Sequence, residues 1–102
     1  MKLNIEGFPE NFNWYNDQFP PLDALTYWHY LKTAKRVIEV GCGYSTILPH
    51  QMGVKLTCID PMPRVKYPNI EYLELEVQKV DLKVFEELEA GDILFVDSSH
   101  IY

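Results

Sequence analysis

One decapeptide does most to limit what this chain can fold into. Val37-Ile-Glu-Val-Gly-Cys-Gly-Tyr-Ser-Thr46 opens as a β-branched run and breaks at two glycines spaced one residue apart. A short apolar run of this kind, Arg36–Val40, predicts a buried strand. Gly41 and Gly43 allow a tight turn and a close backbone approach to a ligand. The residues after them, Ser45–Met52, predict a helix whose first amides point toward the same place. Pro49 is tolerable near its start, and Gly53 can end it.

The rest of the chain supplies what such a unit needs. Asp23 can cap a helix over Ala24–Thr33, with Leu25, Trp28 and Leu31 (and Ala24) as its apolar stripe. Lys55–Ile59 is a second strand, Ile70–Leu75 a third and Ile93–Val96 a fourth. Asp81 can cap a helix through Leu88, with Leu82, Phe85 and Leu88 turned inward. Met62–Asn69 is short for a crossover helix. Apolar strands alternating with helices predict an α/β fold: a Rossmann-like parallel sheet with helices on both faces, truncated to about four strands in the order 3-2-1-4. With 102 residues the chain holds one domain. Residues 1–22 read as an irregular arm. Its aromatics either pack on the domain, the favoured reading, or wall a substrate site.

Open α/β sheets bind ligands beyond the carboxyl ends of their strands. There the sequence places Glu39-Val-Gly-Cys-Gly43, then Asp60, then Asp97-Ser-Ser-His100. Asp60 stands 17 positions beyond Gly43, near the spacing of a carboxylate that accepts ribose hydroxyls. A dinucleotide fingerprint would carry a third glycine where Thr46 stands, which disfavours a nicotinamide or flavin cofactor. No Gly-Lys-Ser/Thr occurs, so a P-loop is excluded. The bland alternative is a tight turn with no ligand.

Residues 37–46 resemble the first motif of class I S-adenosylmethionine (SAM)-dependent methyltransferases. Cys58-Ile-Asp-Pro61 is similar to their second, acidic motif. Gly91-Asp-Ile-Leu-Phe-Val-Asp-Ser-Ser-His100 resembles the strand-four motif of a subgroup of the Asp-Gly/Ser-x-His type. The resemblance runs from about Asp23 to Tyr102. It implies that SAM is the cofactor. Glu39, Gly41, Cys42, Gly43, Ser45, Asp60, Pro61 and Asp97 would surround it, with Glu76–Gln78 beside the adenine. Acidic residues suit the positive sulfonium and amino groups of SAM. Asp97 and His100 are the catalytic candidates, and three roles for His100 stay open: a base that deprotonates the acceptor, a metal ligand, or a loop histidine satisfied by hydrogen bonds. Two such ligands alone do not make a metal site, and no metal is assigned.

The acceptor implied is a small molecule or sugar. The family carries further strands and helices beyond strand four, where acceptor sites are completed. Strand four would therefore be a bare apolar edge. A truncated gene or fragment, pairing with a second copy or a partner chain along that edge, and replacement by the N-terminal arm are the competing explanations. The alternative function is thus a non-catalytic, dimerising module that still binds SAM or S-adenosylhomocysteine. A net charge of −6 argues against direct nucleic-acid binding. No stretch is long and apolar enough for a membrane span, and Met1-Lys-Leu-Asn-Ile-Glu-Gly lacks the apolar core of a signal peptide. The expectation is a cytoplasmic protein in which Cys42 and Cys58 stay reduced. His29, His50 and Cys58 read as surface or packing residues. Glu86, Glu87 and Glu89 read as a solvated face, and Cys42 as important for its backbone N–H rather than its thiol.

Overall fold

Each β-branched run becomes a strand of one parallel sheet, ordered β3-β2-β1-β4. A computed structural model describes Phe8 and residues 21–63 and 66–96. The elements are α1 (Pro21–Leu31), β1 (Arg36–Val40), a 3₁₀ turn at Tyr44–Thr46 running into α2 (Ile47–Gln51), β2 (Lys55–Ile59), β3 (Glu71–Leu73), a 3₁₀ turn at Val77–Lys79, α3 (Lys83–Glu86) and β4 (Ile93–Val96). β1 is central. Val37 stands beside Leu56 on one flank and Ile93 on the other, and Val40 beside Ile59 and Val96. Thr57 to Ile59 pair with Glu71 to Leu73.

Alternation along the strands sorts side chains into two cores, because successive residues point to opposite faces. Val37, Leu56 and Cys58 join Ala24, Tyr27 and Leu31 of α1 and Leu48 of α2, with Phe8 buried among them. Ile38, Val40 and Ile59 meet Val80, Val84, Phe85 and Leu88 on the other face. That second face is the thinner. Leu94 and Val96 of β4 are 47% and 56% exposed on it. The Phe8 ring lies 5.4 Å from that of Trp28, so at this one described position the arm packs as expected. The arm's other aromatics lie outside the described residues.

The helices depart from the sequence expectation in ways with physical causes. α1 starts at Pro21, so Asp23 falls inside its first turn instead of capping it. Proline suits a first helical position, since its φ is already helical and its missing N–H has no partner to lose. The stripe of α1 centres on Ala24, Tyr27 and Leu31, with Leu25 and Trp28 at its margins. The helix after β1 begins as a 3₁₀ turn. It ends in a pair of bonds, Val54 N–H to the Pro49 carbonyl at 3.1 Å and Gly53 N–H to that of His50 at 3.2 Å. Gly53 has φ +71 there, the left-handed cap that glycine allows. The third strand shortens to three residues. Asp81 accepts Lys83 N–H at 3.0 Å, but the N-cap position of α3 falls on Leu82 instead, and the helix is a single turn. Leu82 faces out, 70% exposed, because it precedes that turn.

At the amino end of the sheet, Arg36 ties β1 to β4. Its Nε and Nη2 donate to Asp92 Oδ2 at 3.2 and 2.9 Å, and Nη2 also donates to the Glu87 carbonyl. Asp92 Oδ2 further accepts Glu89 N–H at 2.9 Å. That amide, together with Arg36, holds the Asp92 carboxyl below its ordinary range.

Candidate functional site

The parallel register brings the carboxyl ends of β1 and β2 side by side, so the glycine turn and Asp60 meet. Gly41 turns the chain at φ +85, where a side chain would be strained. Its N–H donates to the Ile59 carbonyl at 2.8 Å, extending the ladder by one rung. Cys42 N–H donates to Asp60 Oδ2 at 2.9 Å. Asp60 Oδ1 accepts Met62 N–H at 2.8 Å. One carboxylate thus fastens the loop after β1 to the turn after β2. The Cys42 backbone N–H is thus engaged with the second strand's terminal carboxylate.

Beneath the loop lies Glu39, with no exposed surface. Its burial is costly unless both oxygens are hydrogen-bonded. Tyr27 Oη donates to Oε2 at 2.7 Å, Thr46 Oγ1 to Oε1 at 2.7 Å, and Ser45 Oγ to Oε2 at 3.4 Å. Thr46 Oγ1 in turn accepts Gly43 N–H at 3.2 Å, and Thr46 N–H returns to the Gly43 carbonyl at 3.2 Å. A hydroxyl has one proton to give. Thr46 gives it to Glu39, which leaves its oxygen as acceptor for the glycine. Burial, then the Glu39 carboxylate, drives the Tyr27 phenol far above its ordinary pKa. Tyr27 is therefore a hydroxyl donor throughout the neutral range.

Gly43 differs from Gly41. Its φ of −162 is extended backbone open to any residue. A Cβ added there would meet nothing within 4 Å. The fold makes no demand for glycine at this position, and the space in front of it is open.

The chain is 30% identical over 94 residues to an uncharacterized protein of Archaeoglobus fulgidus. The match takes in 76% of this chain and 42% of that protein. This chain thus spans less than half the length of the relative. No family model matches the chain, and no solved structure matches it.

The site residues expected from sequence fall into three groups. Glu39, Gly41, Cys42, Gly43, Ser45 and Asp60 converge on the loop, with Pro61 exposed beside Asp60. Ser45, 2% exposed, turns inward to Glu39. Glu76 and Gln78 are exposed around the 3₁₀ turn that follows β3. Asp97 and His100 lie outside the described residues. Two residues escaped the sequence reading. Thr46 counted only as an absent glycine, yet it is the hinge of the loop's hydrogen bonds. Tyr27 was passed over on α1, although its spacing from Ala24 and Leu31 puts it on the buried stripe.

Glu39, Cys42 and Cys58 also bring a carboxylate oxygen and two sulfurs within 4.8 Å of one another. Such a set could serve a soft divalent cation. Here the carboxylate already receives hydroxyl protons. The Cys42 thiol, hydrogen-bonded to Cys58 and buried, is pushed far above its ordinary pKa. Both thiols are free and buried. Among the described residues, no helix is long and apolar enough to cross a membrane.

Proposed function

We propose that this loop binds the nucleoside and amino-acid parts of SAM, and that the chain belongs to a methyltransferase acting on a small-molecule or sugar acceptor. One observation carries the reading: the amides of Gly41, Cys42 and Gly43 are all committed, to Ile59, Asp60 and Thr46. A pyrophosphate would need such amides free. The site instead offers a carboxylate and open space, which suits a ligand that carries positive charge and no phosphate. The open position at Gly43 fits a ligand approaching the backbone.

In this reading Asp60 takes the ribose hydroxyls with its remaining lone pairs, and Glu39 acts from beneath by fixing the loop. SAM supplies the activated methyl group. The chain's part is alignment of that group with the acceptor. Asp97 and His100 are the residues proposed for the acceptor side. A cytoplasmic setting goes with the reading, since both thiols are free.

Calorimetric titration with S-adenosylhomocysteine tests it. Wild type should bind, and Gly43→Ala should bind at least tenfold more weakly while unfolding at the same temperature. An alanine variant that binds like wild type would remove the loop from the site. Binding of NADH in place of S-adenosylhomocysteine would overturn the choice of ligand.

The edge strand favours a second reading, a dimerising module without catalysis. Among the described residues β4 pairs only with β1, and Leu94 and Val96 stand exposed beside that open edge. An isologous pairing of two copies would cover both. A monomeric mass at high concentration removes this reading, as does methyl transfer by the isolated chain.

A further inference from the structure

We infer that Tyr27, on the helix that precedes the glycine loop, is a positioning residue for that loop. The inference rests on the ligand-binding reading of residues 41–46. The path is continuous. Tyr27 Oη holds Glu39 Oε2 at 2.7 Å, Glu39 Oε1 holds the Thr46 hydroxyl at 2.7 Å, and Thr46 Oγ1 holds Gly43 N–H at 3.2 Å. The aromatic ring is fixed as well. It stacks on Phe95 of β4 with centroids 4.1 Å apart and planes 8° from parallel. Tyr27 is 4% exposed and Glu39 is fully buried. The hydroxyl therefore acts from within the core on a half-buried backbone amide of the loop.

A buried carboxylate that loses one of its donors can turn about its terminal torsion, which is broad and soft. Glu39 without Tyr27 would then hold Thr46 less firmly, and Thr46 would hold Gly43 less firmly. The geometry of β1 would not change, because its ladder to β2 and β4 is made of backbone bonds. Tyr27 thus governs the order of the loop, while the strands below it stand independently. Phe95 lies two residues before Asp97, so the same ring also braces the strand that leads to the second candidate motif.

Tyr27→Phe keeps the ring and the stack and deletes only the hydroxyl. In the ligand-free protein, amide hydrogen exchange at residues 41–46 should quicken by about tenfold relative to the β1 and β2 amides. Affinity for S-adenosylhomocysteine should fall by about tenfold, with enthalpy lost. Thr46→Val should reproduce both effects and Thr46→Ser should restore them. The double variant Tyr27→Phe/Thr46→Val should be no worse than either single one, as expected for two links of one path. A purely structural role predicts faster exchange throughout the sheet and additive losses, and that result would overturn the inference. So would wild-type affinity in Tyr27→Phe. If wild type binds no S-adenosylhomocysteine, the ligand reading falls by itself. The exchange pattern then still decides whether Tyr27 orders the loop.

Discussion

At the residue scale, the site is organised by which atoms donate and which accept. Glu39 offers only acceptors to Tyr27, Thr46 and Ser45, which all donate. Glu39→Gln preserves shape but replaces an acceptor with an amide donor, so at least one hydroxyl must lose its partner. A buried donor left unpaired costs about 1–3 kcal/mol. We expect a loss of that size, read in urea as a lower midpoint at an unchanged slope. Glu39 and Asp60 were legible in the sequence because both stand at strand ends with recognisable spacing. Tyr27 and Thr46 were not. Their roles depend on hydroxyls that meet a carboxylate only after α1 has docked on the sheet, and no local pattern encodes that meeting.

At the element scale, strands were easier to read than helices. β1, β2 and β4 have the bounds that their apolar runs predicted; for β1 and β2, burial on both faces selects such a stretch. α2 and α3 are shorter than expected, while α1 begins and ends earlier. α2 has five residues, too few to be stable alone. It is held by Leu48, fully buried against α1 and the sheet, and by its glycine cap. Leu48→Ala should therefore cost about 2–5 kcal/mol in chemical denaturation, the usual range for a large core deletion. The Arg36–Asp92 clamp between β1 and β4 carries a pH dependence with a definite sign. The Asp92 carboxyl is held low in the folded state by Glu89 N–H and Arg36. Its contribution is thus complete above the ordinary carboxylate range and is lost as pH falls below about 4 toward the depressed value. In acid titrations followed by circular dichroism, Asp92→Asn should unfold at a pH less distant from neutrality in its first phase, and its stability should vary less with pH below about 4 than that of wild type.

At the scale of the whole molecule, two cores of unequal thickness sandwich a sheet whose β4 flank is open among the described residues. The strand order 3-2-1-4 was legible because right-handed crossovers leave few ways to arrange strands joined by helices. The uneven cover was not, since α3 shrank to one turn and left Leu94 and Val96 outside. A ligand that binds only the folded chain should raise its stability by about 2.7 kcal/mol at a hundredfold excess over Kd. A thermal scan with S-adenosylhomocysteine should show that rise in wild type and a much smaller one in Gly43→Ala. Cys42 and Cys58 add a use of a different kind. One thiol sits in the loop and the other in β2, in contact and shielded from solvent. Cys42 cannot be alkylated until the loop lifts, and only thiolates react readily. The rate at which a thiol reagent consumes the Cys42 thiol in native buffer is therefore a clock for loop opening, readable on unlabelled protein with a spectrophotometer.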